Sequence, residues 1–420
     1  MKILIISYYF PPYNTIGAVR VGKIAKYLRR HGNQVKVISA LNQPLPLGLP
    51  VEIDEEDIIR TRWIDVNKIP ELIIGGRKKV VKTGYAGGNT NKIVKLLGGI
   101  YKSITNIPDG QIGWYWYAVS AGIEMFQEWK PDYIYASAMP YTSLLVANKL
   151  SAEYKIPWIA ELRDLWADNY NHKYGIFRRK IDDMLERSTL QKAKGIVTVS
   201  EALATQIRKK YDIPVAVIYN GYDHEDFEKI ARTGSNEKAV AKIIYTGTIY
   251  EGKQDIETFI KGVKRAVEKG TTGFEVEIYG RNVGGTKSII DRYGLSQIIK
   301  INNPVPYTES LSLQKSADAL LLLSWNDKTQ KGVYTGKLFE YLGARRPILA
   351  VGPEDDVAAS LVRTYGFGKV ASNEVEVAQA IAEIVEGKYI YPGREEVRIK
   401  FTREKQVFEL ENFLQELQRK

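Results

Sequence analysis

Short apolar runs alternate along the chain with longer stretches in which apolar side chains return every three or four positions. In the first half the runs are residues 2–6, 34–39, 133–137, 157–161, 195–199 and 215–218. Runs of this length between polar or turn residues predict buried strands. Residues 18–31 place Val21, Ile24, Ala25 and Leu28 on one helical face, with Gly32 as a stop, and residues 179–193 predict a second helix. Residues 225–241 are polar and lack an apolar period, which predicts a connection. The alternation then restarts, with strands predicted at 242–246, 274–279, 299–301, 318–323 and 347–351. Residues 401–418 read as a last amphipathic helix built on Phe408, Leu410, Phe413, Leu414 and Leu417. Strands alternating with helices predict parallel sheets covered on both faces, here an α/β chain of two doubly wound, Rossmann-like domains facing a central cleft. The expected division is a first domain over 1–225, a connection over 226–240, a second domain over 241–395 and a C-terminal helix over 396–420 that packs back on the first domain.

Residues 40–130 are less regular. They hold a basic cluster (Arg77, Lys78, Lys79, Lys82), the pairs Gly87-Gly88 and Gly98-Gly99, and the aromatic block Trp114-Tyr115-Trp116-Tyr117. Two readings stand. Basic residues beside Trp and Tyr suit a membrane interface, where amphipathic rings sit at headgroup depth. Equally, this is a solvated loop beside a helix whose aromatics fill the core.

Charge sharpens the first reading without deciding it. The 420 residues carry a net +11, and residues 1–100 alone hold 16 Lys/Arg against 7 Asp/Glu. A basic face attracts nucleic acid, anionic lipid or phosphorylated substrates. The chain has no cysteine, which excludes disulfides, a thiolate nucleophile and cysteine-based zinc sites. Its 3 histidines (His31, His172, His224) have no metal-binding spacing, so no metal is expected. The opening apolar run is too short for a signal-peptide core, and no stretch approaches the ~18–20 apolar residues of a membrane span. The expectation is a cytoplasmic protein whose membrane contact, if any, is peripheral.

Ligands of open α/β sheets bind outside the carboxyl ends of the strands, so the loops there are the candidate site. Residues 7–19 follow the first strand and open a helix; Gly17 admits a close backbone approach of an anion, or merely makes a tight turn. Glu161-Leu162-Arg163-Asp164 ends the strand at 157–161. Arg163 can hold a phosphate and Asp164 can accept a hydroxyl hydrogen bond, the alternative being an internal ion pair. Residues 245–253 (YTGTIYEGK) bring Gly247, Thr248 and Lys253 to a turn that suits a diphosphate or is an ordinary turn with an exposed lysine. Gly280 and Arg281 end another strand, near Val305 in the extended segment NPVPY, whose backbone can read a base edge. Residues 332–350 (GVYTGKLFEYLGARRPILA) form a glycine-bearing loop entering a helix, an anion site made of Tyr334, Thr335, Gly336, Lys337 and Leu338. Glu340, one turn in, can reach ribose hydroxyls or is a solvated acid.

Taken in order, the strand-end Gly-Thr, VIYNGYDHEDF at 217–227, Ala317-Asp318 before a strand and TGKLFEYL…PILA resemble a family-4 glycosyltransferase of the GT-B fold. The FPP start and E-L-R-D-L-W resemble the branch that builds bacterial surface polysaccharides. The resemblance implies metal-independent, configuration-retaining transfer from a nucleoside diphosphate sugar, with UDP expected from family frequency. It implies that Glu340 is the second glutamate of a pair and holds the ribose. The position of the first, which usually touches the donor sugar, is Gly332. The usual arginine after the strand-end glycine is Thr248, Lys253 approximates the phosphate lysine, and Arg163-Asp164 stand where the family often has a histidine.

The expected activity is therefore retaining transfer from a nucleotide sugar, bound on the second domain, to a saccharide or lipid-linked saccharide acceptor on the first. Nucleic acid is not an expected partner; an anionic membrane surface is. Two other classes fit the same architecture. A nucleotide-sugar 2-epimerase needs catalytic acids facing the sugar and no acceptor. A non-catalytic scaffold fits the missing glutamate at Gly332.

Overall fold

The computed structural model describes residues 1–68, 101, 105–169, 175–230, 240–281, 283–326 and 334–419. The cluster Arg77, Lys78, Lys79 and Lys82, the two glycine pairs, His172, Gly332 and Val333 lie outside them. The chain forms two compact units. The first comprises Met1–Thr198, Ala204–Ala216 and Gln415–Lys420, the second Val199–Leu203 and Val217–Leu414.

Among the described residues the first unit carries a sheet of β1 (Lys2–Ile6), β2 (Gln34–Ala40), β3 (Ile58–Thr61), β4 (Tyr133–Ala138), β5 (Trp158–Leu162), β6 (Gly195–Thr198) and β7 (Val215–Val217). Their spatial order is β3-β2-β1-β4-β5-β6-β7. The second carries β8 (Ala241–Thr246), β9 (Phe274–Tyr279), β10 (Ile299–Asn302), β11 (Ala319–Leu323), β12 (Ile348–Val351) and β13 (Gly368–Ala371) in the order β10-β9-β8-β11-β12-β13. Pairings across both switch points, β1 with β4 and β8 with β11, are parallel. Each unit is thus doubly wound, and the strand order reverses beside its first strand, where such sheets open a crevice for ligands.

The reason is visible in β11, where Ala319, Leu320, Leu321, Leu322 and Leu323 are all 0% exposed. Leu321 and Leu323 pack with Ile243 and Tyr245 on one face, Leu320 and Leu322 with Ile244 on the other. A strand buried on both faces reads as a continuous apolar run, and only helices on both sides can cover it.

Some expectations shift. The helix predicted at 18–31 is Ile16–Arg30, started by Thr15, whose hydroxyl accepts from the Ala18 N–H. The helix predicted at 179–193 is Ile176–Leu190. The last amphipathic stretch forms Arg403–Arg419, preceded by Glu395–Lys400. Strands β3 and β13 have no counterpart in the periodicity, because IIRT and GKVA mix polar with apolar residues and are only partly buried, so neither forms a continuous apolar run. At the start of the polar stretch expected as a connection, His224–Glu228 form a helix, and Phe227 joins the second unit's core with Tyr222. The aromatic block divides. Trp114 is fully buried, edge-on to Tyr8, with its Nε1–H on Thr61 Oγ1 at 2.7 Å. Trp116 and Tyr117 remain exposed on the helix Tyr115–Glu128. No described helix is long and apolar enough to cross a membrane.

Candidate functional site

In the second unit, β8 ends at Thr246 and Gly247 takes φ +119°, a conformation suited to glycine. A Cβ on Gly280, at the end of β9, would stand 2.1 Å from the Gly247 carbonyl oxygen, so the two strand-end turns touch backbone to backbone. A Cβ on Gly247 would meet Lys337 Nζ at 2.9 Å. Lys337 reaches this place from the first turn of the helix Gly336–Ala344 and rests over the Tyr245 ring at 4.9 Å. Burial pulls its pKa down to about 8, against the upward pull of Glu340. The helix opens at Thr335, whose Oγ1 is buried without a partner. Unpaired N–H groups and the dipole at that end favour an anion.

Glu340 lies one turn further. Gln314, itself fully buried, donates through Nε2 to Glu340 Oε2 at 3.0 Å and to Thr246 Oγ1 at 2.9 Å. Burial raises the Glu340 pKa, while Gln314, Lys337 and Arg403 oppose the rise. Tyr307, beside it, donates to Asp226 at 3.2 Å. A carboxylate held by a single amide N–H, itself anchored on the Thr246 hydroxyl oxygen, keeps acceptor capacity for a diol.

The other expected donor residues flank this cradle. Lys253 Nζ lies over Trp325 at 5.6 Å, and the Trp325 Nε1 is buried without a partner. The Thr248 carbonyl accepts from the Tyr245 hydroxyl at 2.8 Å. Arg281 is exposed and Val305 half-buried. Tyr334 packs edge-on to Tyr219 at 5.7 Å, and burial pushes its pKa up to about 12. Leu338 is a core residue at 0% exposure, so only its backbone faces the loop.

In the first unit, a Cβ on Gly17 would meet Arg163 Nη1 at 2.5 Å, so the guanidinium lies across the opening turn of the helix Ile16–Arg30. Arg163 donates through Nε to the Ala138 carbonyl at 2.6 Å and through Nη2 to that of Met139 at 2.8 Å, at the end of β4. Burial pulls its pKa down, opposed by Glu161. Asp164 is half-buried beside it. The ion-pair reading belongs to the neighbouring acid. Glu161, 0% exposed, pairs with Arg20 at 2.8 Å and accepts from the Tyr135 and Ser137 hydroxyls, both at 2.5 Å. Burial alone would raise the Glu161 pKa; Arg20, Arg163 and the two hydroxyls bring it below the ordinary value.

Several groups here were not legible beforehand. Tyr9, after β1, is held above its usual pKa by burial and by Asp109, while Arg163 pulls it down. Asp109 accepts from Thr142 N–H (2.9 Å) and Oγ1 (2.7 Å), closing the start of the helix Thr142–Tyr154. Gln314 and Asp109 have one local contact each, to Ser310 and Gln111; their site partners lie 26 and 68 residues away for Gln314 and 33 for Asp109.

A family model described as Glycosyltransferase Family 4 matches residues 17–226, half of the chain. No curated protein matches the sequence. Solved structures match over nearly its full length. Sucrose-phosphate synthase from Thermosynechococcus elongatus is 14% identical, with a TM-score of 0.63 over 99% of this chain and 98% of that one. The Anabaena protein HepE in complex with UDP and glucose is 13% identical, with a TM-score of 0.64 over 99% of this chain and 100% of that one. A glycosyltransferase from Rickettsia africae is 16% identical, with a TM-score of 0.61 over 99% and 98%. At these identities the likeness shows the fold, two parallel-sheet α/β domains of the GT-B type.

Removing Arg20 alone should leave Glu161 buried without its ion-pair partner. Arg20→Leu is expected to cost about 3–5 kcal/mol in urea unfolding at pH 7, and the double variant Arg20→Leu/Glu161→Leu distinctly less. The Arg20→Leu deficit should shrink as pH falls through the carboxylate range, because the unpaired Glu161 then takes up a proton.

Proposed function

The chain belongs to glycosyltransferase family 4, and from that premise we propose that it moves a sugar from a nucleoside diphosphate sugar, a UDP-sugar by preference, to a saccharide or lipid-linked saccharide acceptor. We assign it to the branch that makes bacterial surface polysaccharides, acting with retention of configuration, without a metal, at the cytoplasmic face of an anionic membrane. The observation that carries this reading is the cradle of the second unit, where Lys337 lies on Gly247 and the Glu340 carboxylate is held by Gln314. The diphosphate is assigned to Lys337, the Gly336 helix terminus, Thr335 and the Gly247 turn, with Lys253 and Arg281 beside it. The ribose is assigned to Glu340, and the base to the edge formed by Val305 and Tyr334. The complex of Anabaena HepE with UDP and glucose supports the choice of uridine.

In the reaction the bond from the sugar's anomeric carbon to the β-phosphate oxygen breaks, and the electron pair leaves with UDP. The acceptor hydroxyl oxygen bonds to that carbon, and its proton passes to the departing phosphate. Preorganised donors facing the developing charge are the main source of rate in such a site. Asp164 and Arg163 are assigned to the acceptor side, with Asp164 accepting from the hydroxyl and fixing its approach.

Because the Lys337 pKa is lowered to about 8, its ammonium is present below that pH and lost above it. UDP affinity should therefore fall between pH 7 and pH 9 in the wild type. Lys337→Met should bind UDP roughly ten-fold more weakly at pH 7, a change expected for loss of one charge-assisted contact, and show a flatter pH profile. The rise in Tm with UDP concentration measures both. An unchanged pH slope in Lys337→Met would remove the lysine from the phosphate site.

Asp164→Asn should lower turnover about ten- to a hundred-fold at saturating donor and acceptor, as expected when a reacting group loses its orientation. Its UDP-induced rise in Tm should be retained. Unchanged turnover would contradict the role given to Asp164.

A further inference from the structure

The helix Ile176–Leu190 is turned the wrong way round for an ordinary globular domain. Its buried residues are Arg178, Asp182, Glu186, Thr189 and Leu190. Arg178 donates to Asp182 at 2.9 Å and to the carbonyls of Asn106 and Pro108 at 2.6 and 3.0 Å. Glu186 accepts from the Ala167 N–H at 2.8 Å and the Tyr211 hydroxyl at 2.7 Å. The inner face is therefore a polar clamp on 106–108, 167 and 211. The outer face carries Ile176, Phe177 and Met184 at 79%, 78% and 67% exposure. Arg179 and Lys180 are exposed among them. Ile176, Lys180 and Met184 recur at four-residue intervals and Phe177 precedes Met184 by seven, so these groups form one stripe. Globular helices bury such apolar residues and expose the charges.

We propose that this stripe docks on an anionic lipid bilayer, with Ile176, Phe177 and Met184 entering the headgroup layer and Arg179 and Lys180 meeting lipid phosphates. Large apolar side chains flanked by cations are the composition that interfacial docking uses. The position adds a reason. The helix follows β5, so it begins on the edge of the sheet where Arg163 and Asp164 stand, and Arg178 ties it to the carbonyls just before Asp109. A lipid-linked acceptor would reach that edge from the bilayer. The inference rests on that acceptor reading, but it is measured without transfer activity.

The absence of cysteine lets Phe177→Cys carry a single environment-sensitive fluorophore. Lys194→Cys, exposed just before β6 at the opposite edge of the same sheet, is the control. With phosphatidylglycerol-containing vesicles the label at 177 should shift to the blue and the label at 194 should not; high salt should reverse the shift. Pure phosphatidylcholine vesicles should give little response at either site. The unlabelled variant Ile176→Ser/Phe177→Ser/Met184→Ser should float with anionic vesicles about ten-fold less than wild type, while keeping its UDP-induced rise in Tm. Arg179→Gln/Lys180→Gln should lose the preference for phosphatidylglycerol. An unshifted label at 177, or a serine variant that floats like wild type, overturns the proposal. Either result with the turnover defect of Asp164→Asn intact leaves the acceptor assignment standing, so the two failures are distinguishable.

Discussion

Parallel sheets covered by helices on both faces make an unpaired charge within the layers costly, and the chemistry of this chain follows from that constraint. Five consecutive side chains of β11 are fully buried, and the strands beside it pack the same way. Polar function is thereby displaced to the carboxyl ends of the strands, where backbone ends and helix openings are free to face a ligand. The exception tests the rule. Glu161 is buried within β5, and it is met by Arg20, two hydroxyls and the field of Arg163. That pair also fixes the strand whose next residues are Arg163 and Asp164, so burial inside the layer and chemistry at its edge are coupled.

Much of this architecture was legible in the sequence because burial on both faces writes continuous apolar runs. The runs at 242–246 and 274–279 are β8 and β9, and 318–323 contains β11. The candidate loops were legible too, since strand ends in a doubly wound sheet can be located from the runs alone. What escaped was of two kinds. Strands such as β3 and β13 mix polar with apolar residues and are only partly buried, so no continuous apolar run marks them. Residues such as Gln314, Asp109 and Arg20 act through partners far along the chain, which no local pattern records. The helix at 176–190 was found by its period, but the period does not show that Ile176, Phe177 and Met184 lie outward.

The departures from the family pattern also gain a physical shape. Thr248, which the family resemblance sets where an arginine is usual, offers no charge, but its carbonyl holds the Tyr245 hydroxyl. The Tyr245 ring in turn carries Lys337. A cation is thus supplied to the same turn from a different element. It is a softer one, since burial lowers the lysine's pKa to about 8, whereas an arginine stays charged throughout.

The central claim is that a nucleoside diphosphate is held at the carboxyl ends of β8 and β9 against the helix Gly336–Ala344. Amide hydrogen exchange with and without UDP localises it directly, because ligand binding slows the local opening of the segments it holds. The account predicts slowed exchange in peptides covering 246–253 and 334–344, with the outer stripe at 176–184 unchanged. Unaltered exchange at 246–253 and 334–344, with protection appearing elsewhere, would contradict it.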